Sequence, residues 1–357
     1  MTTALDLTSI DYSHWMKQAL SLAARGAGFT HPNPCVGAVV LDAQGNLAGR
    51  GFHERAGSDH AERTALNEAG ARARGGTLVV TLEPCCHHGR TPPCTDAIIA
   101  AGVVRVVSAM SDPDHRVAGQ GFARLVAAGV EVVDGIESAA AERLNLHYLH
   151  HRRTGTPWVT LKLGLSLDGR MADASGRSRW ITSTAARHHA HALRALHDAI
   201  LVGAETARRD DPELLLHGAP GLAPRRFVLV GRRDLPRDLK MFSGDARATR
   251  IGVDDRADWT VSDDGEGRPD IEAVVKRMGS EGLTGLLVEG GGVTAAAFLK
   301  AGVVRRLVLY YGPLLLGEGQ APLGGLAYPL ALAPTLTDVA VETFEGGFVV
   351  SGLVETR

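Results

Sequence analysis

The chain has 357 residues, of which 45% are hydrophobic and 22% charged, and its formal net charge is −2. This length predicts two domains, and the apolar content is sufficient for two hydrophobic cores. The small net charge excludes the strong positive field that draws a protein to nucleic acid or to an anionic membrane, although local sites can still bind small anions.

The N-terminal segment and the use of cysteine predict a cytoplasmic protein. The segment MTTALDLTSIDYSHW has no basic stretch followed by an apolar run, so we expect no signal peptide. No segment approaches the ~18 consecutive apolar residues of a membrane span. Three of the four cysteines lie within TLEPCCHHGRTPPC, residues 81–94, which is typical of a metal or catalytic cluster and not of a disulfide framework.

Helices and strands alternate through the first part of the chain. The pattern predicts a helix over Tyr12–Ala27, a hairpin made of VGAVVLD and LAGRGFH, and a helix that begins at HAE and closes at Gly70. Strand Thr77–Glu83, the cysteine cluster, helix TDAIIAAG and strand Val103–Met110 follow, and FARLVAAG and VEVVDG repeat the step. This alternation predicts an α/β domain over residues 1–150, with helices on the faces of its sheet.

The segment from Asn145 to Thr156 differs from its surroundings. It is basic and polar, and Gly155 and Pro157 interrupt it, so we predict that it connects the two domains. A second α/β pattern over residues 157–357 opens with WVTLKLGLSLDGR and continues with a predicted helix over Ala185–His197. Strands AILVGA and RRFVLVG, a polar loop, strand GLLVEGGG, helix TAAAFLKAG and strand VVRRLVLYYG follow.

Residues of the first domain are typical ligands of a catalytic zinc ion. Such an ion takes three protein ligands and leaves a position for water, and His60 with two cysteines of the cluster would supply them. Zinc lowers the pKa of water from ~15.7 toward ~7. Glu62 is then placed to carry protons between this water and a substrate without binding the metal. The pattern H-x-E followed by P-C-x-x-C is typical of zinc nucleobase deaminases.

The second cysteine ligand departs from that spacing. After Cys85 the next thiol is either the adjacent Cys86 or the distant Cys94. Adjacent residues rarely both reach one small ion, whereas Cys94 opens a predicted helix, whose N-terminus favours a thiolate. We therefore predict Cys85 and Cys94 as ligands, with CHHGRTPP as an inserted loop. We expect Cys35 and Cys86 to bind no metal.

Two histidines of the inserted loop leave an alternative open. His87 and His88 are better placed to touch a substrate than to bind the ion. The alternative is a structural zinc site that uses a histidine as its fourth ligand. A structural site has no need of Glu62, so we favour the catalytic interpretation.

Longer motifs indicate a family. HPNPCVG, GFHERAG, HAE and TLEPCCHHGRTPPC occur in the order and spacing of the bifunctional riboflavin-biosynthesis deaminase/reductases, and LKLGLSLDGR, SGRSRWITS, ARRDDP and VEGGGVTAAAF resemble the reductase half of that family. The resemblance implies a cytidine-deaminase-like three-layer domain followed by a dihydrofolate-reductase-like α/β domain. It implies that Asn33 and His53 lie near a pyrimidine nucleotide and that Glu62 is the proton shuttle.

The resemblance also implies the two reactions. The first is the zinc-dependent hydrolytic removal of the 2-amino group of a diaminopyrimidinone ribosyl phosphate. The second is the NADPH-dependent reduction of the ribosyl group to a ribityl chain.

For the second domain the residues alone favour no specific site. The turn Gly290–Gly292 before a helix predicts either a phosphate cradle or only a tight connection. The resemblance implies that the residues on or near NADPH are Gly164, Trp180, Thr206, Asp210, Gly291, Gly292, Val293, Thr294, Ala295, Ala296 and Ala297, and that those on the substrate are Ser178, Leu214 and Glu289. We further expect Lys162 and Glu289 to assist hydride delivery at C1 of the sugar, the alternative being a structural salt bridge.

Two segments depart from the family pattern. After Asp211-Pro212 the family has Leu-Thr and then an arginine suited to a phosphate, whereas this chain reads ELLLHG, with Leu215 and His217. We expect His217 to contact the substrate, although histidine holds a phosphate only when it is protonated. After RRFVLVG, the turn Gly231-Arg232-Arg233 predicts either a displaced phosphate site, on the 2′-phosphate of NADPH, or a solvated basic turn.

Three functions are consistent with these patterns. The first is a bifunctional enzyme of riboflavin synthesis, and the second is a deaminase whose reductase-like domain is silent, which the altered ELLLHG segment motivates. The third is a nucleic-acid-editing zinc deaminase, against which the near-neutral charge and the lack of a basic, aromatic-rich stripe argue. The resemblance implies a small-molecule substrate and a homo-oligomer, and the near-neutral charge argues against nucleic acid or a membrane as partner.

Overall fold

The structure is a computed structural model that describes residues 10–88, 92–231, 235–244 and 247–355. Its contacts divide the chain into two units, Met1–Thr154 and Gly155–Arg357. Arg232 and Arg233, for which the sequence predicts a phosphate site or a solvated turn, lie outside the described residues. Among the residues described, no helix combines the length and apolar character needed to cross a membrane.

The first unit is a five-stranded sheet between two layers of helices. Its elements are α1 (Tyr12–Ala24), β1 (Gly37–Leu41), β2 (Leu47–Phe52), α2 (Ala61–Ala69), β3 (Thr77–Val80), α3 (Cys94–Ala101), β4 (Arg105–Ser108), α4 (Gln120–Ala127), β5 (Glu131–Val133), α5 (Ser138–Leu144) and α6 (Leu146–Thr154). The strand order is β2-β1-β3-β4-β5, and β1 is antiparallel to both neighbours whereas β3, β4 and β5 are parallel.

The alternation of side chains along the strands decides which helices cover each face. In β1, Ala38 and Val40 pack with α2, α3 and α4, whereas Val39 and Leu41 pack with α1, α5 and α6. A Cβ atom at Gly37 would lie 2.0 Å from the backbone oxygen of Ala19, so α1 can approach the sheet only at a glycine. The parallel strands β3 and β4 end at one edge, which is where polar side chains of successive loops meet.

The second unit is a nine-stranded sheet with a parallel centre and an antiparallel edge. Its elements are β6 (Trp158–Ser166), α7 (Thr184–Ala195), β7 (Ala199–Gly203), α8 (Ala204–Asp210), β8 (Arg225–Leu229), β9 (Thr249–Gly252), β10 (Trp259–Thr260), α9 (Ile271–Ser280), β11 (Gly285–Val288), α10 (Gly292–Lys300), β12 (Val304–Gly312), β13 (Thr335–Phe344) and β14 (Gly347–Glu355). The order is β10-β9-β8-β7-β11-β6-β12-β14-β13, and only the last two strands run antiparallel to their neighbours. Helices α9 and α10 pack on one face, and α7 and α8 on the other.

The predicted connection between the domains is wrong over most of its length. Residues 146–154 form α6, which is held by the buried side chains of Tyr148 and Leu149. The hydroxyl of Tyr148 donates to both carboxylate oxygens of Asp112, at 2.9 and 3.0 Å. Because the helix buries so few residues, its sequence has the pattern of a polar loop. The helix ends at Thr154, so the connection begins only at Gly155.

Other predicted elements are present with shorter bounds. The helix predicted over Tyr12–Ala27 ends at Ala24, and the one predicted over Ala185–His197 ends at Ala195. The strands predicted over residues 77–83 and 103–110 are present as the shorter β3 and β4. Their mutual pairing stops at Val80 and Ser108. The sequence patterns do not predict helices α5, α8 and α9, strands β9 and β10, or the hairpin β13–β14.

Candidate active sites

Three metal-binding side chains of the first unit lie in contact. The Nδ1 atom of His60 is 3.3 Å from Sγ of Cys94 and 3.6 Å from Sγ of Cys85. The ligand atoms all lie within 4.8 Å of one another, and no other such group of three occurs among the described residues. The structure thus brings together the predicted trio.

Local structure explains how residues so distant in sequence converge. His60 is the N-cap of α2, and Cys94 is the first residue of α3. Two hydrogen bonds hold Cys85 at the start of α3. Its carbonyl oxygen accepts from Thr95 N at 3.2 Å, and its Sγ accepts from Cys94 N at 3.4 Å. The N-terminus of α3 therefore lies at the sulfurs, and its positive end favours thiolates.

The trio fits a zinc ion. Tetrahedral coordination with Zn–S near 2.3 Å and Zn–N near 2.0–2.1 Å separates a nitrogen from a sulfur ligand by about 3.6 Å, which is close to the distances observed. The hydrogen bond from Cys94, together with His60, lowers the pKa of the Cys85 thiol to about 4. A thiolate is the form of cysteine that binds a metal.

Glu62 lies in the first turn of α2, beside the trio. Its residue is 3% exposed and lines a cavity of about 380 Å³ that also exposes His60 and Cys85. Burial raises the pKa of Glu62, and the charge of Cys85 raises it further. A carboxyl group whose pKa is raised toward neutrality can both accept and return a proton.

The remaining cysteines and loop histidines lie outside the trio. Sγ of Cys86 contacts the carbonyl oxygen of Arg116 at 3.7 Å, and Cys35 is buried beside Thr30. His87 lines the cavity, whereas His88 is exposed and does not line it. Of the two histidines, only His87 is placed to touch a molecule in the cavity.

Asn33 and His53 face the same cavity as a hydrogen-bonded pair. Nδ2 of Asn33 lies 3.1 Å from Nε2 of His53, and Nδ1 of His53 lies 3.1 Å from the carbonyl oxygen of Asp59. The carbonyl can only accept, so His53 donates from Nδ1 and accepts at Nε2. Burial lowers the pKa of His53, which keeps the ring neutral.

Sequence reasoning missed the acidic wall of this cavity. Asp112 and Asp114 line it after β4, and Arg116 donates to Asp114 at 2.6 Å. Glu83 accepts from four backbone N–H groups, including those of Asp112 at 3.1 Å and Gly121 at 2.9 Å, which ties the loop after β4 to the loop after β3. The position of DPD directly after a parallel strand could have indicated these residues.

In the second unit Lys162 and Glu289 form the predicted pair, with a third member. Nζ of Lys162 is 3.2 Å from Oε2 of Glu289, and Arg194 of α7 binds the same carboxylate through Nε at 2.7 Å and Nη2 at 3.0 Å. Burial alone would raise the pKa of Glu289, but the charges of Lys162 and Arg194 outweigh it and hold the pKa well below its ordinary value. No local motif marks Arg194, so the sequence did not reveal it.

The glycine turn before α10 has both structural and binding character. A Cβ atom at Gly290 would lie 2.5 Å from Cβ of Thr294, so close packing alone requires that glycine. The N-cap of α10 is Gly291, without a side-chain cap, and its own N–H donates to Oγ1 of Thr206 at 3.0 Å. The uncapped first turn, with Val293 71% exposed, suits the phosphates of a dinucleotide.

The other residues predicted on NADPH are spread over several elements. Ala295 is buried in the core and Ala297 packs against it, whereas Ala296 is partly buried. Trp180 is 67% exposed and stacks with Arg187, whose guanidinium carbon lies 4.3 Å from the ring centroid. Gly164 and Ser178 are partly buried, and Asp210 shares a face of α8 with Thr206 and accepts from Arg179 through its carbonyl oxygen.

The predicted substrate residues Leu214 and His217 lie on the loop after α8. Leu214 is buried, whereas the side chain of His217 is 41% exposed. Nη1 of Arg194 donates to the carbonyl oxygen of Leu215 at 2.6 Å, so this loop is tied to the carboxylate of Glu289 through one side chain.

Each of the two units matches a known protein family. Residues 9–110 match the cytidine and deoxycytidylate deaminase zinc-binding region, and residues 157–350 match the RibD C-terminal domain. Riboflavin biosynthesis protein RibD of Escherichia coli (strain K12) is 41% identical over 345 residues, which cover 90% of this chain and 93% of that protein. Its counterpart from Mycobacterium tuberculosis (strain H37Rv) is 44% identical over 81% of each chain.

Solved structures are similar over almost the whole chain. Acinetobacter baumannii RibD, form 1, is 35% identical and superposes with a TM-score of 0.88, covering 97% of this chain and 99% of its own. A diaminohydroxyphosphoribosylaminopyrimidine deaminase/5-amino-6-(5-phosphoribosylamino)uracil reductase from Thermotoga maritima is 32% identical, with a TM-score of 0.87 and coverage of 97% and 99%. The predicted fold class of both halves is thereby confirmed.

Proposed function

The chain belongs to the RibD family of bifunctional riboflavin-biosynthesis enzymes, and from this membership and the two sites we propose its reactions residue by residue. It is a zinc-dependent deaminase and an NADPH-dependent reductase. In the proposal, residues 1–150 hydrolyse the 2-amino group of 2,5-diamino-6-ribosylamino-pyrimidinone 5′-phosphate, and residues 157–357 then reduce the ribosyl group to ribityl. The observation that carries the proposal is the buried Glu62 beside the trio of His60, Cys85 and Cys94.

The deaminase residues divide the work of hydrolysis. His60, Cys85 and Cys94 would hold zinc, which supplies a Lewis acid that makes water nucleophilic at neutral pH. Glu62 takes a proton from the attacking water and returns it to the amino nitrogen, which leaves as ammonia. Asn33 and the neutral His53 orient the pyrimidine in the cavity.

The reductase residues place charge beside the sugar. NADPH supplies the hydride, and the uncapped N-terminus of α10 with Thr206 would hold its phosphates. Lys162 presents a positive charge toward C1 of the ribosyl group, and Glu289 orients it. Because Arg194 also binds Glu289, the carboxylate stays ionised beside Lys162.

The test supplies each half with its own substrate. Purified protein should release ammonia from the aminated precursor, and with the already deaminated pyrimidine ribosyl phosphate it should oxidise NADPH steadily and NADH weakly or not at all. Ammonia release without NADPH oxidation would instead support the deaminase with a silent second domain, which the ELLLHG segment motivates. Failure to release ammonia would contradict the deaminase assignment.

Lys162→Met separates a role in reduction from a structural ion pair. Glu289 keeps its two hydrogen bonds to Arg194 in this variant, so the fold should be preserved. We expect kcat for NADPH oxidation to fall by roughly 10²-fold, the low end for a group that assists proton or charge transfer, with ammonia release unchanged. Lys276→Met, at an exposed position of α9, is the control. A fall in Tm with little loss of kcat would show that the pair is structural.

Self-association and a cytoplasmic location complete the proposal. The strand β13 is the edge of the described sheet, and Val339 and Val341 on it are 54% and 61% exposed, so a second copy could cover it. A cytoplasmic location agrees with four free cysteines and thiolate ligands, which need a reducing compartment. Sedimentation as a strict monomer would contradict the first of these.

A further inference from the structure

Three polar side chains at helix α6 lie along one side of that helix. Asn145 directly precedes α6, and its carbonyl oxygen accepts from Leu149 N at 2.9 Å. Tyr148 and Arg152 follow three and seven residues later. Residues with this spacing share a face of a helix, so the three side chains can act on neighbouring parts of the first unit.

Asn145 holds the segment that carries Asn33. Its Oδ1 atom accepts from Cys35 N at 2.8 Å, and its Nδ2 atom donates to the carbonyl oxygen of Cys35 at 3.0 Å. Cys35 lies two positions after Asn33, which lines the cavity beside Glu62. Because Asn145 is 4% exposed, water does not compete for these hydrogen bonds.

Tyr148 holds the first carboxylate of the acidic wall. Its hydroxyl donates to Oδ1 and Oδ2 of Asp112 at 2.9 and 3.0 Å, and both residues are buried. Burial raises the pKa of Asp112, and the hydrogen bond from Tyr148 opposes that rise. Burial also raises the pKa of Tyr148, so the phenol keeps its proton and remains the donor.

Arg152 reaches the second carboxylate of the same wall. Its Nε atom lies 3.4 Å from Oδ2 of Asp114, and its guanidinium carbon lies 5.1 Å from the ring centroid of Tyr148. Arg116 donates to the same oxygen at 2.6 Å. The hydrogen bonds from Arg116, with the charge of Arg152, hold the pKa of Asp114 well below its usual range.

Asp112 keeps an acceptor site for a ligand. Among the described residues only Tyr148 donates to its Oδ2 atom, whereas Oδ1 also accepts from Asp114 N at 2.9 Å. Each oxygen of a carboxylate can accept two hydrogen bonds. Asp112 lines the cavity, so its free acceptor site suits an N–H or O–H group of a pyrimidine ribosyl substrate.

We propose that α6 belongs to the deaminase site and that Tyr148 is a positioning residue, which fixes the carboxylate of Asp112 against the substrate. The proposal rests on the deaminase function proposed above. Asn145 and Arg152 hold the neighbouring segments in register with Asp112. Tyr148 acts through Asp112, because its hydroxyl is bonded to that carboxylate. Losing the hydroxyl therefore weakens substrate binding more than it slows the chemical step.

Tyr148→Phe removes the hydroxyl and keeps the packing of the ring. We expect KM for the aminated precursor to rise about tenfold, the effect of losing one hydrogen bond to a charged group. The value of kcat should stay within about twofold, with zinc content and NADPH oxidation unchanged. Tyr12→Phe is the matched control, because its hydroxyl accepts from Arg105 at 2.7 Å and the residue does not line the cavity. It should change neither constant.

A second variant tests the same helix without touching the hydroxyl. Arg152→Met leaves Arg116 on Asp114, so KM should rise only about threefold at unchanged kcat, as for a partly exposed ion pair. For both variants, a fall in Tm with KM unchanged would show that α6 has a structural role alone and would overturn the proposal.

A double-mutant cycle tests whether Tyr148 acts through Asp112. Asp112→Asn by itself should raise KM at least as much as Tyr148→Phe. Adding Tyr148→Phe to Asp112→Asn should then change KM by less than about twofold, since the carboxylate that the hydroxyl positions is already lost. An equal rise in KM in both backgrounds would show that Tyr148 acts elsewhere and would contradict the proposal.

A measurement without turnover separates this proposal from the deaminase function. The carboxyl carbons of aspartate are titrated by NMR, and the signal of Asp112 is assigned by its loss in Asp112→Asn. The pKa of Asp112 should be higher in Tyr148→Phe than in the wild type and unchanged in Tyr12→Phe, because a donated hydrogen bond favours the ionised carboxylate. The charged and titratable groups that face Asp112 are Glu83 after β3, Asp114 and Arg116 of its own loop, and Tyr148 and Arg152 of α6.

The two results distinguish the possible failures. An equal pKa of Asp112 in wild type and Tyr148→Phe contradicts the positioning role even where ammonia is released. A higher pKa in the variant supports that role even where the wild type releases no ammonia, and in that case only the deaminase function fails.

Discussion

Glu62→Gln should lower kcat for ammonia release by roughly 10²- to 10⁴-fold, the range for loss of a general acid–base, while zinc content stays unchanged. The amide has the shape of the carboxyl group but cannot take a proton from water. Burial disfavours the charged form of Glu62 and raises its pKa, so a neutral amide at this position should not weaken the fold. Ammonia release and metal analysis of the purified variant are the measurements.

Two controls accompany this variant. Glu68→Gln, on the same helix, removes an exposed carboxylate that accepts from Arg50 N at 3.0 Å, and it should release ammonia normally. NADPH oxidation by the Glu62→Gln protein should equal that of the wild type. Loss of zinc together with activity would mean that Glu62 is a ligand and would overturn its role as a shuttle.

Cys94→Ser should empty the metal site and abolish deamination. A serine hydroxyl is not ionised at neutral pH, so one of the two thiolates that hold zinc is lost. Zinc should fall from about one ion per chain to a small fraction, and ammonia release should fall at least as far as in Glu62→Gln. Elemental analysis and the ammonia assay give both values on one sample.

Cys86→Ser is the matched control, because it makes the same replacement of sulfur by oxygen at a neighbouring cysteine that is not a predicted ligand. Sγ of Cys86 contacts the carbonyl oxygen of Arg116 and not the trio, so zinc and ammonia release should be retained. If Cys86→Ser emptied the site and Cys94→Ser did not, the assignment of ligands would be reversed. NADPH oxidation by both variants reports whether the second unit is intact.

Much of the deaminase site could be predicted because its parts follow local rules. One helix start places His60 at the N-cap and Glu62 in the first turn, and a second helix start carries the thiol of Cys94. Metal chemistry then restricts which residue types can act together. The acidic wall at Asp112 and Asp114 escaped prediction, since it depends on which strand lies beside β3.

The contacts of the reductase site, in contrast, depend on tertiary structure more than on local rules. Lys162 and Glu289 are 127 positions apart by their numbering, and their contact arises because β6 and β11 are parallel neighbours. Arg194 carries no motif, yet it joins Glu289 to the loop of His217. Helix α6 was mistaken for a connection because its two anchoring side chains gave too weak a pattern.

The sequence by itself determined the two α/β patterns, and it predicted the zinc ligands of the first unit and the proton carrier, because each prediction rests on spacing along a helix or strand. Only the tertiary structure decided which distant charges meet, namely those of Lys162, Arg194 and Glu289. The physical reason is that strand order and loop anchoring, which set these contacts, depend on packing of the whole unit and leave no periodic mark on the chain.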